Sequence, residues 1–422
     1  MQQRSESGEA EEPAPSAAPN AAAVPQQLRL ASVAAFASIA SMRACDPMLL
    51  TLASEFGRGL GECSRVVSMF AVAYGVMQLL YGPLGDRIGK LAVVAGAATV
   101  CALFATAAAF ATSLEALVAV RTLMGAAAAG IVPMTIAWIG DNVPYAQRQE
   151  TLARLLGATV GGMIAGLWLG AWITELVGWR MVFAALAVTF IAAALPLWRE
   201  LRRARAAAAA AATAPAPWGH SLVELAQLPR LPEVRFLLAI VAVEGALMFS
   251  VLAFVPAYLA QRHGLNTAAA GTVLALYGVG GIVYSRLARR LLHALGERGL
   301  AIWGGAIVAL AVLGIAWAPH WLAAAPACGV AGAAFYMLHT TLQARSTQMA
   351  PAAQRGSAVA LFASCLFLGQ SVGVAAVSAA VDAGAARWAF SACALGLAGV
   401  GVLVGAVVKE RSASEASPTA PS

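Results

Sequence analysis

The chain has 422 residues, 60% hydrophobic and only 11% charged, with a mean hydropathy of +0.77 and a formal net charge of +7. Soluble domains carry about 25% charged residues, so the composition excludes a water-soluble globular protein and predicts a chain that lives mostly in lipid. A helix needs about 20 apolar residues to cross the hydrocarbon core. In chain order such stretches fall at 28–53, 64–84, 91–112, 115–139, 152–174, 180–198, 236–259, 268–288, 299–318, 322–344, 357–380 and 388–408, numbered here as spans 1 to 12. The runs are continuous and lack the alternation of β-barrel strands, and unpaired peptide groups exclude an open sheet in lipid. The expectation is an all-α membrane protein with twelve transmembrane helices.

Placing both termini in the cytoplasm puts 20 Lys and Arg on that side. Five, Arg58, Arg65, Arg180, Arg262 and Arg387, fall on the other, and Arg43 and Arg121 lie within spans. This asymmetry follows the positive-inside rule, so the positive excess does not call for a nucleic-acid partner. Residues 1–27 are polar, rich in Ala, Pro and Glu, and lack the apolar segment of a cleaved signal peptide. They and 409–422 read as disordered cytoplasmic tails. Cys45, Cys101, Cys328, Cys365 and Cys393 fall inside spans and Cys63 at a span edge, with no metal-type spacing. Neither a disulfide framework, a metal nor a cofactor is expected.

The chain reads as two halves, 28–199 and 236–408, joined by a cytoplasmic linker over 200–235. Ser221-Leu-Val-Glu224 within that linker matches a capping box. Blocks recur at nearly constant offsets. Tyr74-Gly75-Val76, Tyr81, Leu84 and Arg87 return 203 positions later as Tyr277-Gly278-Val279, Tyr284, Leu287 and Arg290. Pro144, Gln147 and Arg148 return as Pro351, Gln354 and Arg355, and Arg180 and Phe183 as Arg387 and Phe390, at an offset of 207. The change of offset implies a four-residue insertion between the matched blocks. Two pseudo-symmetric six-helix bundles related by an axis along the membrane normal follow from this, with a transport site at their interface.

Residues 81–90 read YGPLGDRIGK, a charged Gly-rich turn between spans 2 and 3. Gly82, Leu84, Asp86, Arg87, Gly89 and Lys90 resemble the signature loop of the major facilitator superfamily of transporters. Arg121-x-x-x-Gly125 with Gly130 is similar to the family's second motif, and SMRACDPMLL in span 1 resembles bacterial drug–proton antiporters. Span 5 carries a glycine ladder, Gly157, Gly161, Gly162, Gly166 and Gly170, like the family's antiporter motif, but Leu167 stands where that motif has proline. The resemblance covers about 28–408. It implies a major facilitator fold, a monomer in a bacterial inner membrane, and small-molecule efflux coupled to protons. It also implies a cytoplasmic latch in which Asp86 meets the start of span 11 near Gly356, with Arg87, Arg148 and Lys90 completing a charge cluster. The alternative is that Arg87 and Lys90 are only topology determinants, the reading favoured for Lys90, since exposed pairs contribute only about 0–1 kcal/mol. Gly82 and Gly85 are expected to let backbones approach closely.

Ionisable groups at membrane depth are costly, at least ~2.5–3.5 kcal/mol on insertion scales, and so are functional candidates. At ~1.5 Å per residue, Asp46 lies about 10 Å and Arg121 about 9 Å below the outer surface, so a pair between spans 1 and 4 is expected. Arg43 stands three residues before Asp46, on the same helix face, as a competing partner. Pro47 removes a helix donor beside the acid. Asp46 is therefore a candidate proton site, because burial and a neighbouring Arg push its proton affinity in opposite directions; a fixed structural ion pair is the alternative. Glu244, near mid-membrane in span 7, is a candidate for contact with a cationic substrate, for a second proton site, or for an interhelical hydrogen bond. His339 and Gln343 share a face of span 10. Gln78 and Gln370 are further cavity candidates. Trp179, Trp321 and Trp388 are expected in the interfacial belt.

The glycine runs lie inside spans and not between a strand and a helix, so no nucleotide loop is present, and no enzyme signature competes. Three functions remain: a proton-coupled exporter of a small molecule, an importer or facilitator of the same fold, and a non-transporting membrane sensor or assembly factor.

Overall fold

The structure is a computed structural model and describes residues 24–207, 230–348 and 355–415. Ten helical stretches among these are long and apolar enough to cross a membrane. Two observations bring this to the twelve expected passes. The stretch Thr267–Trp317 is two spans, broken at Gly296, whose φ of 64° and ψ of 175° suit glycine. Span 1 is a further, broken pass, Val24–Arg43 followed by Leu49–Phe56. The last helix, Ala386–Glu415, runs past the hydropathy limit at 408, and span 6 continues to Ala207. The capping box at 221–224 and most of the block at 351–355 lie outside the described residues.

Spans 1 to 6 and spans 7 to 12 form two helical bundles. In the first, span 1 packs on span 5, span 2 on span 4, and span 3 on span 6; in the second, span 7 packs on span 11 and spans 8 and 9 on spans 10 and 12. The bundles meet through spans 2 and 11 and through spans 5 and 8.

Glycine sets the helix contacts within each bundle, since without a Cβ two backbones can touch. A Cβ on Gly162, Gly166 or Gly170 of span 5 would run into the carbonyls of Phe36, Ala40 or Ala44 in span 1. The same contact recurs in the second bundle, where Gly369 and Gly373 meet the carbonyls of Ala242 and Ala246. Gly125 lies on the Phe70 carbonyl, and Gly332 on that of Tyr277. Each pair of equivalents is 206 or 207 residues apart. Packing therefore equates Tyr277 with Phe70 and not with Tyr74. The 203-residue match along spans 2 and 8 is displaced by about one helical turn, which is 3.6 residues. A one-turn slip keeps the same face toward the neighbour, so the sequence blocks resemble each other without being packed alike. The four-residue change accordingly does not wait for a later insertion.

The ladder is shorter than its sequence suggests. Gly157 has open space around it, and Gly161 meets only the Phe36 ring. Leu167, at the expected proline position, is buried, and its carbonyl faces Gly271 of span 8.

Candidate functional site

Span 1 stops being an α-helix at 44–48. Pro47 supplies no N–H, and the backbone tightens, Asp46 N donating to the Arg43 carbonyl at 3.3 Å and Met48 N to that of Cys45 at 3.2 Å. The break presents Asp46 beside Arg43, whose charge sits at the C-terminal end of Val24–Arg43, where the helix dipole favours a cation. Arg43 Nη1 and Asp46 Oδ2 are 3.5 Å apart and both side chains are buried. Neither Asp46 oxygen, nor Arg43 Nη1, has a hydrogen-bond partner. The ion pair is thus long and incompletely satisfied, in a place where unsatisfied polar groups are costly.

Arg121 is fully buried but does not make the expected ion pair with Asp46. Its Nε donates to the Val66 carbonyl at 3.3 Å and its Nη1 to Ser41 Oγ at 3.1 Å, while the guanidinium lies 4.1 Å from the Phe70 ring. Its Nη2 is buried without a partner, yet it is Arg43 and not Arg121 that stands within ion-pair distance of Asp46. Depth along a helix located both residues; the direction of each side chain, set by these neighbours, decided the pairing.

A second cluster stands in the other bundle. Glu244 has no exposed surface, and its Oε2 lies 2.9 Å from His339 Nδ1. The imidazole stacks on Phe335 at 5.1 Å, with an interplanar angle of 12°, and touches Phe362. Phe335 in turn packs on Phe249 and Tyr277. The Arg43 guanidinium lies 4.3 Å over the Phe249 ring, a cation–π contact that joins the two clusters across the bundle interface. Glu244 Oε1 and the Tyr277 hydroxyl are buried without partners. Sequence reasoning gave Glu244 no partner and missed Phe249, Phe335 and Tyr277, because aromatic residues in an apolar span carry no signal that separates a site from a core.

Gln78 and Gln370 are buried, each with an unpartnered side-chain oxygen. Gln343, one turn from His339, is exposed, and no contact joins it to the Glu244 pair. Trp179 is fully buried and donates to Glu55, which also binds Arg180, so it caps the fold and does not belong to a lipid belt. Trp388 is exposed, as a belt residue would be.

The signature loop is built mostly on its own bundle. The Tyr81 hydroxyl donates to the carbonyls of Ala126 and Ala127 at 3.0 and 3.3 Å. Those carbonyls lie where span 4 breaks between Leu114–Ala128 and Ile131–Asn142. The Tyr81 ring fills the space against Gly130. Gly89, at φ 91°, ends span 2, and Gly85 lies against Met134, whereas a Cβ on Gly82 would meet open space, so no close approach depends on it. Lys90 pairs with Asp141 at the end of span 4, a partner the sequence did not reveal. Arg148 donates to the Val143 carbonyl at 2.9 Å. Asp86 is exposed. Lys90 and Arg148 are thus bound within the first bundle and do not gather around Asp86.

Among the described residues, contacts between the bundles occur at several points along the spans. Gly75 lies against Ser364 and Phe367, Gly278 against Met163 and Ile164, and Gly271 against Ala171. Ser371 Oγ donates to the Ser68 carbonyl at 2.9 Å. At the far end, Gly61 N donates to the Asp382 carboxylate and Thr267 N to Glu175.

Each bundle thus holds one small, covered set of charges, Arg43 with Asp46 and Glu244 with His339. Among the described residues no group of three or more His, Cys, Asp or Glu is placed to hold a metal. The sequence profile of the Major Facilitator Superfamily matches residues 31–374. A chloramphenicol resistance protein of Streptomyces lividans is 28% identical over 286 residues, 67% of this chain and 70% of that protein. Another, of Pseudomonas aeruginosa, is 29% identical over 158 residues, 36% of this chain; the chain spans only 37% of the length of that relative. In fold, the chain is similar to a bacterial homolog of the human lysosomal transporter Spinster, crystallised in an inward-facing and unoccupied conformation. The TM-score is 0.72 at 14% identity, covering 92% of this chain and 98% of that one. The profile match, the twelve spans and the paired bundles lead to one conclusion: the chain belongs to the major facilitator superfamily and is an integral, multi-pass membrane transporter.

Proposed function

We propose that this transporter exports a small molecule in exchange for protons by alternating access, with Asp46 as a proton-binding group. The observation that carries the reading is the Asp46 carboxylate, buried at a break in span 1 with one long ion pair to Arg43 and no hydrogen bond. A carboxylate so poorly compensated binds a proton readily when its Arg partner moves away, and loses it when the Arg returns. The bundle interface beside it is where alternating access changes such distances. Efflux is supported by relatives named for chloramphenicol resistance and by the multidrug export protein EmrB of Haemophilus influenzae, 25% identical over 170 residues.

Twenty of the positive residues flank the face that carries the termini, which supports a cytoplasmic location for that face in a bacterial inner membrane. With that orientation the Gly61–Asp382 and Thr267–Glu175 contacts stand on the outer side. Asp86, exposed after span 2, is the group that would latch the cytoplasmic ends of the bundles by meeting the start of span 11 near Gly356. Each chain encloses its own pathway as a monomer.

Asp46→Asn, reconstituted in vesicles with an imposed proton gradient, tests the reading. Loss of gradient-driven transport of a phenicol or dye substrate, with exchange across equal pH retained, is the expected result. Full gradient coupling in that variant would overturn it.

A further inference from the structure

We propose that Glu244 and His339 form a second proton-binding site, in the second bundle and separate from Asp46, loaded through His339. The proposal rests on the proton-coupled reading only for its place in the transport cycle; the binding itself stands on geometry. Glu244 is completely covered, while 12% of the His339 side chain is exposed. An organic substrate cannot reach the Glu244 carboxylate without parting spans 7 and 10. A proton needs only the 2.9 Å hydrogen bond between Oε2 and Nδ1. Size therefore selects the ligand.

The relay conserves protons and charge. Water delivers a proton to His339 Nε2 as the Nδ1 proton passes to Glu244 Oε2, leaving a neutral acid beside a neutral imidazole; release runs the same steps backward. The ring is held for this by stacking on Phe335 and contact with Phe362. Glu244 Oε1 and the Tyr277 hydroxyl beside the pair are buried without a protein partner.

Several groups face the pair. Arg43 and Asp46 approach from span 1, Arg43 resting on Phe249 of the helix that carries Glu244. Tyr277 comes from span 8 and packs on Phe335 and Tyr336 of span 10. Arg43 is the one full positive charge among them. Its contacts are with Asp46 and with the Phe249 ring.

Infrared difference spectroscopy on the purified full chain, cycled between acid and alkaline pH, reads protonated carboxyl bands directly and needs no substrate. The expected result is one band lost in Asp46→Asn and a different one lost in Glu244→Gln. In His339→Gln, the Glu244 band should persist but rise severalfold more slowly after a pH jump, because loading runs through the imidazole. A pH-dependent carboxyl spectrum that Glu244→Gln leaves intact overturns the proposal, as does an unslowed band in His339→Gln should Glu244→Gln fail to fold. If instead the Asp46 band alone is missing from the native protein, the coupling assigned to Asp46 fails and this site stands.

Discussion

Glu175 and Asp382 lie 207 positions apart at the same end of equivalent helices, and each carboxylate accepts a backbone N–H from the opposite bundle. Glu175 takes the Thr267 amide at 3.0 Å; Asp382 takes the Gly61 amide at 3.0 and 3.2 Å. Both amides are at the starts of spans, where the helix dipole favours an anion. The face opposite the chain ends is therefore closed by two symmetry-related contacts, both at exposed residues.

Removing both charges with Glu175→Gln and Asp382→Asn should loosen this closure. An exposed anion at a helix start contributes about 0.3–1 kcal/mol, so the pair together shifts the equilibrium roughly 3- to 30-fold toward opening. Spin labels at the ends of spans 5 and 8 would show a new, longer distance population. An unchanged distribution would mean that the apolar contacts at Gly271 and Gly278 hold that face shut by themselves.

Gly166→Ala should destabilise the protein, because the new methyl group meets the Ala40 carbonyl. Overpacking of this kind costs about 1–3 kcal/mol. Gly373→Ala, its equivalent against Ala246, should behave alike, whereas Gly157→Ala, in open space, should stay within about 0.5 kcal/mol of the native protein. Thermal unfolding in detergent orders the three; equal effects would contradict the packing.

Tyr81→Phe keeps the ring against Gly130 and deletes the hydroxyl that binds the Ala126 and Ala127 carbonyls. The expected loss is about 0.5–1.5 kcal/mol for a net hydrogen bond. Tyr81→Ala should lose more, since it also empties the space beside the break in span 4. A Tyr81→Phe protein with native thermal stability would show that the break is satisfied by other groups.

Arg121→Lys is expected to be defective although it keeps the charge. Arginine here directs Nε to Val66, Nη1 to Ser41, and its flat face to Phe70; an ammonium group cannot reproduce that fork or that stacking. Transport assays on Arg121→Lys and Ser41→Ala should show a severe loss in the first and a mild one in the second. Native activity in Arg121→Lys would reduce the residue to a point charge.

Much of the fold was legible in the chain. Twelve apolar stretches separated by short charged turns leave few arrangements, because in lipid each peptide group must be bonded within its own helix. The duplication was legible from Arg180 and Arg387, but its register was not. Tyr74 and Tyr277 match in sequence, yet Phe70 and Tyr277 match in packing, since a slip of one turn changes residue identity at a contact without changing the face presented. For the site, composition named Arg43, Asp46, Arg121 and Glu244, as charges at that depth are conspicuous. It gave no sense of which charge meets which.

By itself, then, the sequence determined the membrane setting, the number of passes, the doubled plan and the few charged residues that lie within the spans. These follow from hydropathy and spacing, which are properties of single segments. Only the tertiary structure decided that Asp46 pairs with Arg43, that Arg121 is taken by Ser41 and Val66, and that Glu244 finds His339 95 residues away. Those choices depend on helix rotation and side-chain direction, and these are set by close backbone contacts such as Gly166 on Ala40. No single segment contains that information, because each contact is a property of two helices at once.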